Sequence, residues 1–233
     1  DLFAYRQLKD TVSDCEDRYD YLEKKMKFQD SEWEIRFKEK QSASFIGQTE
    51  GFLAMLEEDL VNIRSITFKG FHKTEEEIIH LFYFKFQTVP LLARMDAVME
   101  YLIDEYETLR GKNISEEDME ALRETFQKMY VTTDLYEIYG WLLKDCGYPE
   151  LSNAEYERRK LEYEDVFPML YLKYRLKGSR KHKNIKHLVI DEMQDYSYLQ
   201  YSILSMLFHC RMTILGDRAQ TMDSECQDVT KFL

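Results

Sequence analysis

The sequence predicts a mostly α protein with a small α/β part. Only 8 Gly and 3 Pro punctuate 233 residues, which favours long helices. Apolar side chains in residues 1–130 recur at three- and four-residue steps, the period of a helix face. Two short apolar runs, at about 188–190 and 212–215, break that period and are expected to form a pair of parallel strands.

Each element has its own local reason. Leu2, Tyr5, Leu8, Val12, Cys15, Tyr19, Leu22 and Met26 are spaced by about 3.5 residues, the step of a coiled-coil seam, which predicts one long first helix. Trp33 and Phe37 extend or cap it. A second helix over about 44–62 puts Phe45, Phe52, Leu53, Leu56 and Leu60 on one side, and the two helices suit an antiparallel hairpin. Residues 66–71 alternate like a strand. Thr74 followed by Glu75, Glu76 and Glu77 marks a capped helix start, structural rather than catalytic. Pro90 opens a helix whose stripe is Leu91, Met95, Val98, Leu102, Tyr106 and Leu109, and Gly111 ends it. Ser115 and Asp118 start another, with Met119, Leu122, Phe126 and Met129 inward. Thr133 caps a helix to about 145, and the Gly147-Tyr148-Pro149 run breaks it. Helix resumes over about 163–176 until Gly178. The period turns to that of a strand at Ile185, and Ser197 caps the helix after it, with Leu199, Ile203, Leu204 and Leu207 toward the core.

Composition narrows the function classes. Hydrophobic content of 44% supports a real core. Cysteines at 15, 146, 210 and 226 have no zinc spacing, and the five histidines are scattered, so a reduced cytoplasmic protein is expected. No apolar run is long enough to span a membrane. Net charge is −12, and residues 1–130 carry 18 positive and 28 negative side chains. Against this trend, residues 171–187 hold Lys173, Arg175, Lys177, Arg180, Lys181, Lys183 and Lys186 and no acid. That run has two readings of equal weight: a solvated segment with cations at a helix end, or contact with nucleic-acid or nucleotide phosphates. Only Tyr171 and Tyr174 accompany it, so phosphate contact is favoured over base stacking.

The most informative stretch is His187-Leu-Val-Ile-Asp-Glu-Met-Gln-Asp-Tyr-Ser197, followed by Met212-Thr-Ile-Leu-Gly-Asp-Arg-Ala-Gln220. A strand that delivers two carboxylates at its carboxyl end suits magnesium and nucleotide chemistry. Asp191 and Glu192 are the candidate metal-binding carboxylates, and Glu192 can polarise an attacking water. The second strand brings Gly216, Asp217 and Gln220 to the same edge, where open α/β sheets gather ligands. Asp191, Glu192 and Gln220 are therefore expected within about 10 Å, two strand spacings, of one another.

These two runs resemble motifs II and III of superfamily 1 helicases of the UvrD/Rep type. The resemblance implies that Asp191 binds magnesium, Glu192 is the catalytic base and Gln220 couples the γ-phosphate to the nucleic-acid site. It places Gln194, Asp195, Gly216 and Asp217 in the rest of the nucleotide site. The segments 71–79, 89–95, 163–176 and 198–204 look like the HelD group, whose members are UvrD-like ATPases that bind and recycle bacterial RNA polymerase.

The implied architecture is a helical insertion, or arm, over 1–130, attached over 131–233 to an incomplete RecA-like parallel-sheet domain of a P-loop NTPase. No Gly-x-x-x-x-Gly-Lys-Ser/Thr phosphate loop occurs, and Gly178-Ser-Arg-Lys is only a distant echo. The chain is accordingly read as a fragment, inactive alone, of a protein that uses ATP and Mg2+. Its expected partners are DNA, bacterial RNA polymerase and the remaining helicase domains, with no membrane. The alternatives are a conventional UvrD/Rep-type DNA helicase and a non-catalytic protein-interaction module.

Overall fold

The computed structural model describes residues 2–27, 31–179 and 182–216. The helices are α1 Leu2–Leu8, α2 Arg18–Lys27, α3 Ser31–Lys40, α4 Ala43–Asp59, α5 Glu75–His80, α6 Arg94–Arg110, α7 Glu116–Gln127, α8 Leu135–Asp145, α9 Tyr163–Lys177 and α10 Tyr198–Leu207. The strands are β1 Asp14–Cys15, β2 Ile66–Phe68, β3 Phe71–Lys73, β4 Lys160–Leu161, β5 His187–Ile190 and β6 Arg211–Ile214. The protein is mostly helical, as its few chain breakers dictate. No helix among the described residues is long and apolar enough to cross a membrane.

The chain forms two compact units that interleave in sequence. One gathers 1–50, 139–172 and 179–233; the other gathers 51–138 and 173–178. The sequence-based boundary at 130 does not coincide with this grouping, because residues in 2–50 pack with the segments at 159–165 and 195–199. The reason is long-range pairing. β1 lies parallel to β4, with Asp14 opposite Lys160 and Cys15 opposite Leu161. The Ser13 hydroxyl reinforces that pairing by donating to the Arg159 carbonyl at 2.9 Å.

The same pairing breaks the expected first helix into α1, β1 and α2. Asp17 restarts the helix, its carboxylate accepting from the Tyr19 and Asp20 amides at 2.8 and 3.0 Å. The seam therefore does not form, nor does the long hairpin built on it. Tyr19 and Met26 are 81% and 87% exposed, while Tyr21, off the seam, is buried. Tyr21 instead centres an aromatic cluster, with ring centroids 5.0 Å from Trp33, 4.5 Å from Phe37 and 5.5 Å from Tyr163.

In the second unit most local signals are met. α4 buries Phe52 and Leu56. β2 and β3 form an antiparallel hairpin with a two-residue turn at Lys69 and Gly70. Both turn residues have positive φ, 45° and 80°, as a hairpin of this hand requires. Thr74 and Glu77 form a complete capping box at α5. Ser115 caps α7 by accepting from the Asp118 amide, and Gly111 closes α6 in the left-handed conformation. Met95, Val98, Leu102 and Phe126 form the core between α6 and α7. Leu109 departs from the expected stripe: it sits in the last turn of α6 and is exposed. The cap of α8 is Asp134, which accepts from the Tyr136 amide at 2.9 Å, rather than Thr133.

Candidate functional site

β5 and β6 pair in parallel, in register from His187 opposite Arg211 to Ile190 opposite Ile214. This is the predicted strand pair. Ladder bonding continues past the strand ends, with the Leu215 amide donating to the Ile190 carbonyl at 2.8 Å. The Met193 amide then donates back to the Leu215 carbonyl at 3.0 Å. The segment leaving β5 is thus tied to the segment leaving β6, so Asp191, Glu192 and Gly216 share one edge.

Between these ties the chain makes a tight acidic turn. Glu192 has φ 52° and ψ 44°, a left-handed conformation that a side chain adopts only at a cost of about 1–3 kcal/mol. Burial of Met193, 1% exposed, pins the residue after it. The Asp191 carboxylate accepts from the Glu192 amide at 2.9 Å. Gln194 donates to the Glu192 carboxylate at 2.5 Å, orienting it. Asp191 and Glu192 are exposed, so their remaining lone pairs face solvent. A Cβ at Gly216 would stand 2.9 Å from Gln194 Oε1 and 3.3 Å from Met193 Cβ, so a larger residue there would displace the Gln194 side chain. Asp195 lies 3.9 Å from Arg18, a partly exposed pair of small energetic consequence.

The turn lines a cavity of about 860 Å3. Asp191, Glu192, Gln194 and Asp195 line part of it, and Tyr21, Phe37, Tyr163 and Phe167 contribute aromatic surface. A cavity of this size with polar groups on an apolar background suits a small molecule.

Helix α10 leaves the turn through a capping box. Ser197 accepts from the Gln200 amide at 3.1 Å, and Gln200 accepts from the Ser197 amide at 2.8 Å. Leu199, Ile203 and Leu207 are buried as expected, whereas Leu204 is only half-buried.

Two groups of residues carried no signal in the sequence, a pair lining the cavity and a buried polar cluster. Arg18 and Gln41 line the cavity. Lys40 is 1% exposed and donates to Glu164 and Asp165, each at 2.7 Å. Tyr139 donates to the same Asp165 oxygen at 2.5 Å. Burial pushes the Glu164 carboxyl up, with Lys40 opposing, and burial with the Asp165 charge pushes the Tyr139 hydroxyl well up. Lys40 and Glu164 are 124 residues apart, and the acids at the start of α9 look like an ordinary acidic first turn.

The basic run is divided. Lys173, Arg175 and Lys177 end α9 and belong to the second unit; Lys183 and Lys186 are exposed and belong to the first. Arg180, Lys181, Asp217 and Gln220 lie outside the described residues, so the expected proximity of Gln220 to the carboxylates does too.

Among the described residues no three His, Cys, Asp or Glu converge on one metal site. Two exposed hard oxygens at one turn fit magnesium, which keeps several waters and takes its other ligands from phosphates. The turn lies outside the carboxyl ends of the parallel strands, the edge at which open α/β sheets gather ligands. The model of the UvrD/REP helicase N-terminal domain matches residues 4–222, and the chain belongs to that family of ATP-dependent helicases. A search of curated proteins finds no match to the chain.

Proposed function

We propose that the protein carrying this chain hydrolyses ATP with Mg2+ and turns the cycle into movement on nucleic acid or remodelling of a bound polymerase. The observation that carries this reading is the acidic turn: paired parallel strands hold Asp191, Glu192 and Gly216 at one edge, beside a cavity. Asp191 is the magnesium ligand, aided by Glu192. Glu192 takes a proton from the attacking water, with Gln194 holding its carboxylate. Gln194, Asp195, Gly216 and Asp217 complete the nucleotide site. Gln220 couples the γ-phosphate to the nucleic-acid site, as its place in motif III implies. When bound, magnesium supplies charge neutralisation on the phosphate oxygens.

Asp191→Asn tests the metal assignment. It keeps the side chain's size and removes its charge. Magnesium-dependent nucleotide binding by the intact protein is expected to weaken by at least about tenfold, a scale at which 1.4 kcal/mol of interaction is lost. Unchanged magnesium dependence in a titration would sink the assignment.

The HelD resemblance favours bacterial RNA polymerase as partner, and a cytoplasmic setting follows from it. Charge supports this over a DNA grip. The first turns of α5 and α7 hold Glu75, Glu76, Glu77, Glu116, Glu117 and Asp118, and Glu120 and Glu124 are exposed further along α7. Such a surface is repelled by phosphates and drawn to basic channels. The helical body over 51–138 is the docking element, a narrower arm than the 1–130 boundary suggested. Glu120→Gln with Glu124→Gln is expected to slow polymerase association severalfold at low salt and leave DNA affinity equal or higher. Lost DNA affinity with intact polymerase binding would instead favour a conventional UvrD/Rep-type helicase.

A further inference from the structure

We propose that Gln41 is a positioning residue for the acidic turn: it clamps the start of α10 and so keeps Gln194 on the Glu192 carboxylate. The inference rests on the reading of that turn as the Mg-nucleotide site.

The Gln41 side chain is 5% exposed and bridges two elements of the first unit. Its Oε1 accepts from the Ser197 hydroxyl at 3.0 Å, and its Nε2 donates to the Glu164 carbonyl at 3.3 Å. Its backbone carbonyl accepts from the Leu199 amide at 3.2 Å. The amide orientation follows from its partners, because a backbone carbonyl only accepts. Ser197 is equally determined. Its oxygen accepts from the Gln200 amide, which leaves its single proton for Gln41.

The neighbouring residue anchors the clamp. Lys40 grips Glu164 and Asp165 at the start of α9, while Gln41 reaches to the start of α10. The carboxylates lie between the Leu215 amide on the Ile190 carbonyl and the Met193 amide on the Leu215 carbonyl. Residues 194–196 run on from there to Ser197, and Gln194 among them donates to the Glu192 carboxylate. Ser197, held by Gln41, fixes the far end of that run. The left-handed Glu192 backbone persists only where its surroundings over-determine it. Loss of the Ser197 point lets residues 194–196 shift, and with them the Gln194 amide that orients the Glu192 carboxylate.

The test is Gln41→Met in the intact protein, with Ser197→Ala and the double variant alongside. Gln41→Met keeps approximate shape and removes both side-chain hydrogen bonds. ATP turnover, KM, amide hydrogen exchange and the urea midpoint are measured together. Gln41→Met is expected to lower kcat by about 10- to 100-fold, the scale of a small misplacement of reacting groups, with KM within about twofold. Exchange at the Asp195, Tyr196 and Leu199 amides is expected to accelerate. The double variant is expected to lose less kcat than the product of the two single losses, because both variants remove the Ser197–Gln41 contact, although Ser197→Ala also loses the Gln200 cap and Gln41→Met the Glu164 bond. If Gln41→Met does not fold, Ser197→Ala alone is expected to show the same kcat loss and the same accelerated exchange. A lowered urea midpoint with unchanged kcat and unchanged exchange overturns the proposal, as does a double-variant kcat loss equal to the full product of the two single losses. If the unmutated protein shows no ATP turnover, the reading of the site fails by itself. The clamp is then judged on exchange, and unchanged exchange at the Asp195 and Tyr196 amides overturns it.

Discussion

Glu192→Gln is expected to lower ATP turnover by the intact protein by about 10²- to 10⁴-fold, the usual contribution of a general base. Mg-ATP binding should persist, because Gln has the same size and Asp191 remains. Gln194 still has a partner, since its Nε2 can donate to the new amide oxygen. Steady-state turnover and equilibrium nucleotide binding, measured on the same preparation, separate the two effects. Full turnover in the Gln variant would move the base elsewhere. Weakened binding with unchanged turnover at saturation would make Glu192 a metal ligand only. Both outcomes are informative because the residue stands at a conformation its side chain disfavours, φ 52°.

Lys40→Met is expected to destabilise the first unit by about 3–5 kcal/mol, since it strips the counter-charge from two buried carboxylates. Glu164 and Asp165 are 4% and 5% exposed, and Lys40 bridges them. One Glu164 oxygen, Oε2, has no hydrogen-bond partner among the described residues. Urea denaturation checks the magnitude, and pH checks the cause. Burial already holds the Glu164 carboxyl above its ordinary value of 4.5, with Lys40 pulling the other way. Without Lys40 it rises further. A carboxyl raised in the folded state contributes fully below its unfolded value, and that contribution is lost as pH rises through the folded value. The deficit of Lys40→Met should therefore be smallest in mild acid and grow as pH rises from about 4.5. Glu164→Gln is the contrasting variant. It keeps an acceptor for Lys40 and removes a desolvated charge, so its effect should be small. A large loss in Glu164→Gln, or a pH-independent loss in Lys40→Met, would mean that packing rather than charge dominates the cluster.

Local sequence determined much of this protein. The capping boxes at Thr74 and Ser197, the left-handed stop at Gly111 and the apolar face of α4 each depend on residues a few positions apart. So does the strand pair: apolar runs ending in Asp191-Glu192 and in Gly216 left little choice of element, and the family match agrees with them. Other features were settled only in three dimensions. The apolar spacing of residues 2–26 suits a continuous seam, yet ladder bonds to residues near 160 divert the chain, and Asp17 restarts it. A helical period records only which side chains would share a face if the helix continued; it carries no information on a competing strand some 145 residues away. The unit grouping has the same origin. Lys40, Gln41, Tyr139, Glu164 and Asp165 look ordinary in sequence, because charge and amide groups are usually solvated. Only packing removed their water and obliged them to find one another.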